Sequence, residues 1–337
     1  MVAFLDARRA AGPALQTLAV AACYFAAGWL GLMRRLVVDG VVVTPIWPPT
    51  GVSVAALLIL GLRCWPGITL GAVLIVAYLG IPAPYSLGYL LGNTAAPLCA
   101  AVLLRRTGFR TDLSRLRDGV ALVFIGALGA MLISATIGVG LLVVTDALPP
   151  HSFLTVWLAW WVGDAMGVLL VTPLLLLLRQ ARRPPTTRWK EALALAVAAC
   201  CVVPLAVYSS FSLLFLVYPV IIWGALRFEL AGSVGCALLT SVLAARAATE
   251  GTGAFAELSR VEVMAKLQGF NGTMALTALL LSAVITEQRH TRRSVEHACQ
   301  ELVEVLEHLT TGDGPPPRPA PYTPYAQDPP TPPGGGP

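Results

Sequence analysis

A chain of 337 residues that is 56% hydrophobic and only 12% charged carries about half the charge share of an ordinary soluble domain, and its mean hydropathy is +0.74. That excludes a single water-soluble core under a charged skin, and it excludes disorder over most of the chain. The formal charge of +5 carries no nucleic-acid reading, because in a membrane protein cations report topology; an all-α, polytopic transmembrane helix bundle in the lipid bilayer is expected.

At about 20 apolar residues per crossing, ten spans fit the chain. In order they are Leu15–Met33, Thr50–Leu62, Trp65–Gly80, Tyr85–Leu104, Gly119–Val144, Phe153–Leu178, Ala192–Ser209, Leu213–Leu226, Ala231–Ala248 and Gln268–Thr286. The second and eighth are short and read equally as tilted or re-entrant segments, so eight crossings are the fallback. A cleaved signal peptide is the rival reading of the N-terminus. The first apolar run is longer than a signal core and lacks a cleavage site, which favours a span. With ten crossings and a cytoplasmic N-terminus, 17 cations fall inside and 5 outside. The positive-inside rule therefore places both termini in the cytoplasm. Arg105–Asp118 and Arg179–Lys190 become basic inner loops. Thr249–Lys266 faces outward, with Leu258, Val261, Val263 and Leu267 expected against the membrane surface. The cysteines form no paired or metal-like pattern and read as small apolar side chains.

Within the spans, Trp47–Gly51 (WPPTG) opens the second: prolines are tolerated in a first helical turn, and Trp47 suits the membrane interface. Gly67 with Gly71, Gly88 with Gly92, and Gly163 with Gly167 are small-xxx-small pairs that allow close helix approach, either within the chain or between copies. Asp164, in Trp160–Gly167 (WWVGDAMG), is the one clear midspan carboxylate. It must face the bundle interior and find a partner or a proton. Asn93 and Arg227 are its candidate partners, and its role is either ligand or proton sensing or an interhelical hydrogen bond. Arg227 also sits where snorkelling to the interface would explain it. No phosphate loop, zinc pattern or nucleophile elbow is present, so neither an enzyme activity nor a cofactor is expected.

These pieces together resemble the MASE1 integral-membrane sensory domains found at the N-terminus of bacterial sensor histidine kinases and diguanylate cyclases. The matching segments are WPPTG (Trp47–Gly51), LRCWPGITLGAVL (Leu62–Leu74), LGNTAAPLCAAVLLRRTGF (Leu91–Phe109) and RLRDGVAL (Arg115–Leu122). SATIG (Ser134–Gly138), WLAWWVGDAMGVLLVTPLLL (Trp157–Leu176), YPVIIWGALRFE (Tyr218–Glu229) and LQGFNGTMALTALLLSAVITEQR (Leu267–Arg289) continue the match. The resemblance implies a multi-pass sensor of the bacterial inner membrane that hands a signal to a cytoplasmic output. It marks Trp47, Asn93, Trp160, Trp161, Asp164 and Arg227 as family-like positions for ligand binding or signal sensing.

Residues 1–289 are therefore expected as the sensory domain. Residues 290–311 follow as a short cytoplasmic amphipathic helix with Val295, Ala298, Leu302, Val305 and Leu309 at a/d spacing, suited to a dimer stem or to lying on the membrane. Residues 312–337 form a disordered proline- and glycine-rich tail. His290, His297 and His308 lack the context of a phosphoacceptor helix. With no output domain read in the chain, a kinase, cyclase or response regulator acting in trans is the expected partner, alongside a homodimer. A small-molecule transporter or channel is the alternative reading.

Overall fold

The computed structural model describes residues 2–33, 35–80, 85–113, 115–180, 188–209, 211 and 213–311. The expected tail at 312–337 and the middle of the second basic loop, 181–187, lie outside the described residues. The chain divides into one compact unit, Met1–Gln288, and a second that begins at Arg289.

The first unit is a helix bundle. The elements of the chain run α1 (Val2–Leu32), a hairpin of β1 (Leu36–Val38) and β2 (Val41–Val43), α2 (Pro48–Leu60), α3 (Trp65–Leu79), α4 (Tyr85–Arg106), α5 (Leu116–Ala121), α6 (Met131–Val144), α7 (Phe153–Gln180), α8 (Trp189–Tyr208), α9 (Val217–Glu250) and α10 (Arg260–Thr311), the last continuing from the first unit into the second. Among the described residues, eight helical segments are long and apolar enough to cross a membrane, and α2, at 13 residues, is shorter than these. Large apolar side chains face outward along them, with Leu15 70%, Leu178 62% and Leu205 59% exposed. On helices that also bury an apolar face, this is the pattern of a bundle solvated by lipid.

The three glycine pairs serve contacts within the chain. Gly67 and Gly71 on α3 lie against Thr17, Val20 and Tyr24 of α1, while Gly88 and Gly92 on α4 lie against Ser134, Ile137 and Leu141 of α6. Two further features are shaped by backbone geometry. Residues Leu122–Gly129 form a π-helical stretch between α5 and α6, with Ala130 N–H reaching back to the Ile125 carbonyl at 3.0 Å. Helix α9 is broken at Glu229 (φ 53°, ψ −136°). In a straight helix Gly224 and Gly232 would be about 12 Å apart, yet a Cβ on Gly224 would come within 2.9 Å of the Gly232 carbonyl. The two arms of α9 therefore fold back on each other, and the break falls between the apolar runs Leu213–Leu226 and Ala231–Ala248.

The expected outward surface piece is different in kind. Ser259 and Glu262 form a reciprocal capping box, with Ser259 N–H to Glu262 Oε2 at 2.8 Å and Glu262 N–H to Ser259 Oγ at 3.3 Å, which starts α10 itself. Val263 and Leu267 are buried in the bundle while Val261 is exposed, so these residues are the first turns of the last helix. Of the cysteines Cys64 and Cys236 are buried, Cys99 is half-buried, and Cys23, Cys200, Cys201 and Cys299 are exposed on the protein. In the second unit the helix bears i,i+4 pairs, Arg292–Glu296 at 2.8 Å and His297–Glu301 at 3.1 Å. Its apolar Val295, Leu302 and Val305 are exposed.

Candidate functional site

The site begins with how α2 starts. Trp47 N–H donates to the Gly163 carbonyl of α7 at 2.8 Å, and Thr50 Oγ1 lies 2.7 Å from the Trp47 carbonyl and 2.9 Å from that of Asp164. The backbones meet without side chains between them. A Cβ on Gly51 would collide with the Gly167 carbonyl, one on Gly167 with the Trp47 carbonyl, and one on Gly163 with that of Thr44. A helix that begins inside a bundle strands its first N–H groups. Pro48 and Pro49 have none to strand. The WPPTG segment is thus a helix start packed inside the bundle, and Trp47, 7% exposed, is buried against its neighbours. The opposite end of α2 is held by cations: Arg105 Nη2 donates to the Leu57 carbonyl at 2.6 Å and Arg179 Nη1 to that of Ile59 at 3.2 Å, satisfying its last carbonyls.

Asn93, on α4, ties three helices together. Its Oδ1 accepts from Tyr24 Oη of α1 and from Trp47 Nε1, both at 3.1 Å, and its Nδ2 donates to the Tyr89 carbonyl at 3.0 Å. Asp164 is not among these partners.

Asp164 lies eleven residues into α7, about 16 Å along its axis, and is 1% exposed. Its polar side-chain neighbours are Ser134 and Trp160. One carboxylate oxygen, Oδ2, has no hydrogen-bond partner among the described residues. The indoles around it all donate toward the α6 side. Trp157 Nε1 reaches Thr136 Oγ1 at 3.0 Å, Trp160 Nε1 reaches Ser134 Oγ at 3.3 Å, and Trp161 Nε1 reaches the Leu128 carbonyl in the π-helical stretch at 2.8 Å. A π-stretch displaces carbonyls from the ordinary ladder, and Trp161 takes one of them.

A cavity of about 530 Å³ opens beside Asp164, lined by Trp47, Tyr85, Tyr89, Trp160, the β1–β2 hairpin and Arg35. Tyr89 stands edge-on to both indoles, its ring centroid 6.4 Å from Trp47 and 6.1 Å from Trp160. The Tyr89 hydroxyl, like Asp164 Oδ2, is buried without a hydrogen-bond partner of good geometry among the described residues, with the Tyr24 hydroxyl nearby. Such a space is the size of a small-molecule site. The hairpin covers it through a tight turn at Asp39 (φ 47°) and Gly40 (φ 81°), with Leu36 paired to Val43 and Val38 to Val41. Arg35 and Gly40 are exposed and mark the mouth.

Of the six residues singled out from sequence, Trp47, Trp160 and Asp164 share this wall. Asn93 braces it from behind through Trp47, while Trp161 is turned to the Leu128 carbonyl and lies outside the lining. Arg227 is elsewhere: its Nη2 binds Glu191 Oε1 of α8 at 2.7 Å, with both side chains partly exposed. Tyr24, Arg35, Tyr85, Tyr89 and the hairpin were missed. An Asp-Gly pair between Val-rich triplets is a hairpin signal, overlooked beside long apolar runs; the tyrosines carried no motif. Among the described residues there is no group of three or more His, Cys, Asp or Glu side chains able to hold a metal.

No curated protein and no solved structure matches the chain. The family model MASE1 matches residues 16–289. That range contains α2, the Asn93 node, the three indoles and Asp164, and the chain belongs to the MASE1 family of membrane sensory domains.

Proposed function

We propose that the chain is a ten-crossing sensor of the bacterial inner membrane that receives its signal in the Asp164 cavity, from the extracytoplasmic side, and relays it through α10 to a cytoplasmic partner. The observation that carries this reading is the unpartnered Asp164 oxygen in the wall of an aromatic cavity. A carboxylate left open in a bundle interior is expensive, and function is the common reason to retain one.

The arrangement of helix ends supports the topology. The cavity is lined by Leu32 at the end of α1, Trp47 before α2, Leu79 ending α3, Tyr85 starting α4, Leu142 near the end of α6, and Trp160 in the first turns of α7. Ends and starts thus alternate at one face, as successive crossings require. At the opposite face Arg105 and Arg179 hold α2. The 17-to-5 cation division assigns that arginine-rich face to the cytoplasm, together with both termini. Counting α2 and both arms of α9 gives ten crossings. The partner is a kinase, cyclase or response regulator acting in trans, with a second copy of the chain meeting α10 along Val295, Leu302 and Val305.

Hydrogen–deuterium exchange on the full chain in nanodiscs tests the relay without knowledge of the ligand. Trp160→Phe and Asp164→Asn should each change amide exchange in residues 289–311 several-fold by shifting the balance of bundle arrangements. Unchanged exchange there overturns the relay. Interrupted helices at Trp47 and Glu229 also occur in transporters, and substrate flux in proteoliposomes would favour that class instead.

A further inference from the structure

Resting on the reading of the Asp164 cavity as the sensing site, we infer that its occupant is a small organic cation, a single ammonium group on an apolar or aromatic body.

Asp164 and Tyr89 both line the cavity, and the buried Asp164 Oδ2 and Tyr89 Oη have no hydrogen-bond partner among the described residues. Both oxygens can accept hydrogen bonds, and an ammonium group brings only donors. A buried carboxylate needs a compensating charge, and among the described residues none lies beside Asp164. Among the described lining residues the one cation is Arg35, which is exposed at the mouth, while Arg227 is engaged with Glu191. The rest of the wall suits the same guest. Trp47, Trp160, Tyr85 and Tyr89 surround the space, and the π-faces of indole and phenol attract cations more strongly when desolvated. Asn93 and Ser134 already fix the two indoles through their N–H groups, so the rings are held before a guest arrives and little ordering is required on binding.

Arg35 restricts the class further. A positive charge at the mouth disfavours an extended polyamine, whose second charge would lie beside it, and admits a guest with one charge at the inner end. The apolar Val41, Val43 and Leu142 along the remaining wall suit an uncharged body.

The test uses the full chain in nanodiscs and three nearly isosteric probes: 2-phenylethylamine, 2-phenylethanol and 3-phenylpropanoate. Binding is read by tryptophan fluorescence and by thermal shift. A charge-assisted hydrogen bond to a buried carboxylate should make the amine bind about ten-fold or more tighter than the alcohol, with the carboxylate probe weakest. Asp164→Asn should remove the preference for the amine over the alcohol. Should that variant fail to fold, the ranking of the three probes on the unmodified chain still decides. Equal or tighter binding of the alcohol or the acid overturns the cationic class. So does failure of the amine to bind, since the cavity has room for it. Either result leaves the sensor reading to stand or fall on α10 exchange in the Trp160 and Asp164 variants, which needs no probe.

Discussion

Asn93 and Asp164 are both buried polar residues at 1% exposure, each inside an apolar helix, and the fold treats them in opposite ways. Asn93 accepts two hydrogen bonds and donates one, binding α1, the α2 start and α4. Asp164 lines a cavity and has one buried oxygen without a hydrogen-bond partner among the described residues. A polar group in a low-dielectric interior strengthens the structure when satisfied and weakens it when not. The first site is therefore scaffold. The second gives up stability for a place where something can bind.

That contrast is easiest to break at the α2–α7 contact, on which both sites depend. Gly167→Val puts a side chain where the Trp47 carbonyl lies and should cost about 3 kcal/mol or more, seen as loss of monodisperse protein on size exclusion. Normal yield and melting would mean that the two backbones do not touch. Asn93→Ala should follow at about 2–3 kcal/mol, because it strands the Tyr24 hydroxyl and the Trp47 indole without partners. A fall in Tm of several degrees is the expected reading, and no change would remove the scaffold role. Trp161→Phe loses a single bond to the Leu128 carbonyl and should cost about 1 kcal/mol, with binding in the cavity retained. Arg227→Ala breaks a partly exposed pair with Glu191 worth about 0.5 kcal/mol or less. A larger drop at Arg227 would show that the α8–α9 contact carries more than the site.

How much of this could be read beforehand differs from element to element, for physical reasons. The long apolar helices were plain, because a bilayer forces backbone polar groups into helices and apolar length into the sequence. Asp164 stood out because a carboxylate in such a run has to be accounted for. Which polar residue partners which was not legible: Asn93 and Arg227 both suited Asp164 by type, and only the packing assigns Asn93 to Trp47 and Tyr24 and Arg227 to Glu191. The break at Glu229 left only the gap between two apolar runs as its trace, since positive φ at a glutamate has no sequence signal and accompanies a contact, Gly224 with Gly232, that only the packing shows. The burial of Trp47 in the bundle was not legible, because it follows from the stretch between Thr44 and Gly51 meeting Gly163 and Gly167, a pair far along the chain from it.

The central claim, that Asn93 holds the bundle and Asp164 serves it, is tested most directly by comparing thermal unfolding of Asn93→Ala and Asp164→Asn in the same nanodiscs. The account predicts that Asn93→Ala melts several degrees below the unmodified protein, while Asp164→Asn melts at or above it because a neutral amide replaces a buried carboxyl group with one oxygen lacking a partner. If Asp164→Asn were instead the more destabilised of the two, Asp164 would be a structural residue and the account would be contradicted.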